Sequence, residues 1–170
     1  MSLVVVADSS PINYLMAIGY IELLPNLNSH VILPSAFYGE LSDRGSSDTV
    51  RQGASAFLAW ISIQTPATSP QLPSGLHLEE MDAIFLAEEL LAGLILMDDA
   101  AGVRFALERG LTITGTLGVL VEAAQNGWVQ IVGALSKLKN TDFRATPDLY
   151  ERARQLAVTK PPVLPRRKVE

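Results

Sequence analysis

Apolar residues recur in two alternating patterns along this chain. Short unbroken runs are separated by longer stretches with helical spacing. Leu3 to Ala7 (LVVVA) is a continuous, largely β-branched run, the pattern of a strand buried on both faces. It ends at Asp8, and Pro11 after Ser9 and Ser10 marks a helix start, with Ile12, Leu15, Met16 and Ile18 forming its apolar stripe. Gly19 interrupts, and Ile21 to Leu24 predicts a further short turn of helix. Val31 to Leu33 reads as the second strand, with a helix opening at Pro34 and Ser35 and running through AFYGEL. After the polar stretch SDRGSSDT, helical spacing resumes through Val50, Ala54, Phe57 and Ile61. The connector TPATSPQLPSG divides the chain, and because neither half carries a complete sheet it reads as internal to one domain.

Beyond the connector, LEEMDAIFLAEELLA predicts a helix with acids at its start, where the helix dipole favours them. GLILM is the third strand, DAAGVRFALERG a helix, LTIT the fourth strand, and TLGVLVEAAQNG a helix closed by Gly127. VQIV reads as a fifth, edge strand. TPDLYERARQLA is a helix with Thr146 as N-cap and Pro147 in the first helical position, and KPPVLPRRKVE is a frayed end. Strands alternating with helices point to an α/β fold with a parallel sheet covered on both faces.

Composition narrows the chemistry. The 170 residues suit one compact domain, and 48% are hydrophobic, which argues against disorder. There is no cysteine, which excludes disulfides, thiolate zinc sites and cysteine nucleophiles. His30 and His77 are far apart, so oxygen ligands are the plentiful ones. A net charge of −5 speaks against holding nucleic acid by bulk electrostatics. No basic leader precedes the first apolar run, and the oily region 83–97 is interrupted by Glu88 and Glu89, so a cytoplasmic protein without a membrane span is expected.

In an open parallel sheet the carboxyl ends of the strands share one edge, and sites form there. Asp8 follows the first strand, Asp98 and Asp99 the third, and Thr114, Gly115 and Thr116 the fourth. Glu40 follows the second strand by a helical turn or two, and Asp82, with Glu79 one turn back, lies near the start of the helix preceding the third strand. Acids converging without a lysine or arginine beside them raise one another's pKa. Mg²⁺ or Mn²⁺ would relieve that cost and could activate water for phosphodiester hydrolysis. Each residue also has a plainer use. Asp8 suits a turn or helix cap, and one of Asp98 and Asp99 is expected to be a cap. Glu79, Glu80 and Asp82 complement a helix dipole, and Glu40 suits a solvated surface. Ser9 and Ser10 lack a histidine partner and read as caps.

VVVADSSPINYLMAIGYIELLPNL, VILPSAFYGEL and EEMDAIFLAEELLAGLILMDDAAGVRFALERGLTITGTLGVLVEA together resemble the PIN-domain family, and within it the VapC-like nucleases of prokaryotic toxin–antitoxin modules. The resemblance implies a three-layer α/β/α sandwich around a parallel sheet of four to five strands. One nuclease domain would cover 1–158, with a flexible tail over 159–170. It further implies Mg²⁺- or Mn²⁺-dependent cleavage of single-stranded RNA, an antitoxin partner and a homodimer. The family's four acids fall on Asp8, Glu40, Asp82 and Asp99, and Asp98 is the neighbour that often accompanies the fourth. A hydroxyl beyond the fourth strand would be Thr114 or Thr116. Relatives carry glycine–glutamate ahead of the third acid. Here the pair is Glu79–Glu80, which keeps the acid at Glu80 and loses the glycine.

RNA contact would then rest on the cation and a local basic patch, for which Arg104 and Arg109 are candidates. Two other classes compete. A phosphoacceptor signalling domain needs paired acids after the first strand, and a haloacid-type hydrolase needs Asp-x-Asp there; Asp8-Ser9-Ser10 supplies one acid. A PIN-like binding module that has lost catalysis would use an exposed apolar patch drawn from Tyr14, Phe37, Tyr38, Phe57 and Trp60.

Overall fold

A computed structural model describes residues 3–28, 30–37, 59–67 and 78–159. The chain divides into two compact units, Met1–Thr116 and Leu117–Glu170. The first contains the sheet. Its strands are β1 (Val5–Ala7), β2 (Val31–Pro34), β3 (Ile61–Gln64), β4 (Leu94–Leu96) and β5 (Ile113–Thr114), all parallel, in the order β3-β2-β1-β4-β5. Helices α1 (Ser9–Ala17) and α2 (Leu23–Leu27) connect β1 to β2, α3 (Leu78–Glu89) precedes β4, and α4 (Ala100–Glu108) joins β4 to β5.

The strand order reverses at β1. The helices of the β1–β2 connection and those leading into β4 and β5 therefore lie on opposite faces, given the right-handed crossover rule. That places α1 and α2 on one face and α3 and α4 on the other, which is the three-layer α/β/α arrangement of a PIN-like fold. Alternation along the strands fits it. Val6, Ile32 and Ile95 form one cross-strand row, packed with Ala83, Ile84, Leu86 and Ala87 of α3 and Ala106 of α4. Val5, Ala7, Leu33 and Leu96 point the other way and are fully buried, as are Ile12, Leu15 and Leu24 on the α1–α2 side.

Three expectations need correction. Ile61 does not close a helix. Ile61-Ser62-Ile63-Gln64 alternates apolar and polar with period two and pairs along its whole length with β2, the signature of an edge strand. Residues 38–58, which carry the rest of that proposed helix, lie outside the described residues. VQIV is not a strand either: Gln130 takes the N-cap position of a helix whose Ile131, Ala134, Leu135 and Leu138 are buried at helical spacing. The fifth strand is thus β3 rather than VQIV. Phe37 and Trp60 are core residues, so neither contributes to an exposed apolar patch; Tyr38 and Phe57 lie outside the described residues.

The order β3-β2-β1-β4-β5 also separates this chain from phosphoacceptor domains, whose flavodoxin-like sheets run 2-1-3-4-5. The second unit holds α5 (Thr116–Gln125, from its second residue), α6 (Ile131–Lys139) and α7 (Pro147–Val158). Gly127 follows α5 at φ +75°, the left-handed conformation that ends helices. α7 begins as its sequence predicts: Thr146 Oγ1 accepts the Leu149 amide at 3.2 Å, and Pro147 follows. The Gln125 side-chain amide donates to the Leu156 carbonyl, and Lys139 lies over the Tyr150 ring at 4.7 Å. Among the described residues no helix is long and apolar enough to cross a membrane. The 160–170 tail lies outside them.

Candidate functional site

Reversal of strand order at β1 leaves a crevice between the carboxyl ends of β1 and β4, the place where open parallel sheets hold ligands. The register aligns Ala7 with Leu96 and Leu96 with Thr114. The Asp8 amide donates to the Leu96 carbonyl at 2.8 Å and the Met97 amide to the Thr114 carbonyl at 2.9 Å. These bonds carry the sheet one residue further, so Asp8, Asp98 and Thr116 all emerge at one edge.

Asp8 is 3% exposed. It occupies the N-cap position of α1, yet its side chain makes no cap hydrogen bond. Its carboxyl is pushed up to about 6, first by burial, against the opposing effect of the Ser9 backbone, and then by the negative charges of Glu80, Asp98 and Asp99. Three of the expected acids therefore act on Asp8 here, and among the described residues no cation offsets them.

Asp98 is a different kind of acid. Its Oδ1 accepts the Thr116 amide at 2.7 Å and its Oδ2 the Thr116 hydroxyl at 2.6 Å. Burial raises its pKa, and both Thr116 bonds oppose that rise. Thr116 is fully buried, so its hydroxyl is spent on this bond rather than offered to a ligand. Thr114 lies in β5, where its carbonyl serves the sheet. Gly115 passes over the Asp98 carboxylate so closely that a Cβ there would sit 2.5 Å from Oδ1 and 3.2 Å from the Met97 carbonyl oxygen. Strand order alone puts Gly115 at the edge without a reason for its being glycine; that reason lies in the approach of a residue seventeen positions earlier in the chain.

Asp99 is the N-cap of α4, its Oδ2 accepting the Gly102 amide at 2.8 Å, which bears out the expectation that one of the pair is a cap. Its Oδ1 has no part in that bond. On α3, Glu80 and Asp82 are two residues apart, about 200° around the helix. Glu80 acts on Asp8 and Asp82 is not among the groups that do; partial burial alone raises the Asp82 carboxyl. The charges of Glu80, Asp98 and Asp99 thus reach Asp8. Glu40 lies outside the described residues.

Arg109 donates from Nε and Nη2 to the Glu88 carboxylate and lies over Phe85 and Phe105, so its charge is engaged between α3 and α4. Arg104 is exposed. His30 contacts the Ser62 hydroxyl at 2.5 Å, beside the β2–β3 pair, as a structural histidine would.

The all-oxygen donor set and the negative charge that reaches buried Asp8 suit a hard divalent cation. Among the described residues no three acidic or histidine side chains already stand as a metal-binding group, consistent with oxygens of Asp98 and Asp99 being engaged by backbone amides. Asp8 and Glu80, with the second oxygen of Asp99, are the donors that fit.

A parallel α/β sheet with acids gathered at its switch point defines a nuclease-type domain of the PIN class. A family model described as a PIN domain matches residues 4–159, and the chain belongs to that family. Among solved structures, a PilT N-terminus domain protein from the hyperthermophilic archaeon Sulfolobus solfataricus P2 is similar over 84% of this chain and 100% of its own, with 15% identity and a TM-score of 0.47. No match was found among curated proteins.

Proposed function

We propose that this chain is a Mg²⁺- or Mn²⁺-dependent endoribonuclease that hydrolyses phosphodiester bonds in single-stranded RNA, acting as the toxin of a toxin–antitoxin pair. One observation carries the reading. Asp8 is buried, its side chain holds no helix cap, and the negative charges of Glu80, Asp98 and Asp99 reach it, an arrangement that costs folding energy and that a divalent cation would relieve. Asp98 and Asp99, by contrast, each hold structural bonds, to Thr116 and to the Gly102 amide.

In this reading Asp8, Asp99 and Glu80 hold the cation, with Asp82 and Glu40 proposed as further members supplied by the family pattern. When bound, the cation lowers the pKa of a water and neutralises charge gathering on the phosphate. Burial of Asp8 keeps bulk water from screening its charge, which strengthens its pull on a cation. A chain of net charge −5 repels RNA at long range, so the cation is also what admits the phosphate. An antitoxin and a second copy of the chain are the proposed protein partners.

The test is cleavage of a mixed single-stranded RNA with Mg²⁺, with Mn²⁺ and with EDTA, comparing wild type with Asp8→Asn and Asp99→Asn. Cleavage that needs metal and disappears in both variants supports the proposal. Intact RNA under every condition with folded protein would favour a non-catalytic PIN-like binding module.

A further inference from the structure

We infer that Asp98 positions the site rather than holding the cation: it clamps the end of β4 to the first residue of α5 and leaves Asp99 and Asp8 to face the ligand. The inference rests on the nuclease reading for its activity arm and on hydrogen-bond geometry for the rest. Adjacent residues in extended backbone point to opposite sides. Asp99 is extended, at φ −63° and ψ 127°, and turns its carboxylate back over the start of α4 to Gly102. Asp98 turns toward β5 and α5, where each of its two oxygens holds one donor of Thr116, at 2.7 and 2.6 Å. Bonds this short to an ionised carboxylate are the strong kind. Gly115 then covers the same carboxylate: a Cβ would lie 2.5 Å from Oδ1. Each oxygen a cation would need already holds a donor of Thr116.

Register explains why the clamp falls there. Leu96 pairs with Thr114, so two residues further along each strand Asp98 meets Thr116, beyond the last ladder bond from the Met97 amide to the Thr114 carbonyl. The clamp extends the β4–β5 pairing with a side chain, where the backbone ladder has ended. It fixes the peptide from which Asp99 springs, and a displacement of that peptide would move Asp99 relative to Asp8. The paired aspartates therefore divide their work, one for the frame and one for the ligand.

Asparagine distinguishes the two roles. An amide at this position can accept the Thr116 N–H through Oδ1 and donate to the Thr116 hydroxyl through Nδ2, so it keeps the clamp while losing the charge a ligand needs. Asp98→Asn is expected to retain RNA cleavage within about threefold of wild type. Asp98→Ala, assayed where it remains folded, is expected to lose about a hundredfold in kcat with little change in KM, the cost of a misplaced catalytic group. Asp8→Asn serves as the ligand control in the same series. A second readout is the rise in Tm on adding Mn²⁺, which Asp98→Asn should preserve and Asp8→Asn should lose.

If Asp98→Asn keeps the wild-type Tm yet loses both cleavage and the Mn²⁺ response, as Asp8→Asn does, Asp98 is a ligand and the inference is overturned. If wild type neither cleaves RNA nor responds to Mn²⁺, the nuclease reading fails on its own. The clamp is then decided by Asp98→Ala, Thr116→Val and their combination. Losses in Tm that do not add support it, and losses that add refute it.

Discussion

Gly115 has an ordinary backbone conformation and no side chain, yet the site depends on it, because the Asp98 carboxylate fills the space a Cβ would take. Gly115→Ala is expected to cost about 1–3 kcal/mol in urea unfolding, as overpacked sites do, and to reduce cleavage together with stability. Asp8 makes a second residue-level prediction. Its folded-state pKa of about 6 lies above its ordinary 3.8, so folding takes up a proton. The stability it contributes is present in full below about pH 3.8 and is lost as pH rises through about 6, on the order of 3 kcal/mol for such a shift. Thermal melts in EDTA should therefore show wild type losing stability across that window, with a shallower loss in Asp8→Asn. Strand-end counting placed Asp8, Asp98 and Asp99 at one edge, and this much was legible because a strand that stops at an acid puts it there. The division between Asp98 and Asp99 was not, since it depends on what faces each carboxylate. Glu80 and Asp82 are equally plausible in one dimension; of the two, Glu80 is the one whose charge reaches Asp8.

Elements whose signals are local came through well. Thr146 and Pro147 mark the start of α7, and the Thr146 hydroxyl accepts from Leu149 as a cap should. Thr146→Ala is expected to destabilise the protein by about 1 kcal/mol in chemical unfolding, with RNA cleavage unchanged. β1 and β4 were evident as oily runs because a central parallel strand is buried on both faces. The edge strand β3 was missed for the converse reason. Its alternating ISIQ is weak over four residues, and Ile61 also continues the 3.6-residue spacing of Val50, Ala54 and Phe57. VQIV misled in the opposite direction, since β-branched residues at a helix start look like a strand until Ala134, Leu135 and Leu138 supply the period.

For the molecule as a whole, function follows from where the sheet reverses. Strands β2 and β3 lie to one side of β1, β4 and β5 to the other, and the acids lie where the two halves part. In the proposed function, a chain of net charge −5 meets a phosphate through a cation. The central claim is therefore that Asp8 and its neighbours bind a divalent ion in the folded protein. Isothermal titration of Mn²⁺ into wild type and Asp8→Asn at pH 7.5 tests it most directly, with circular dichroism confirming that both are folded. The account predicts saturable binding to wild type and its loss in Asp8→Asn. Binding unchanged by the substitution, or absent from a folded wild type, would contradict it.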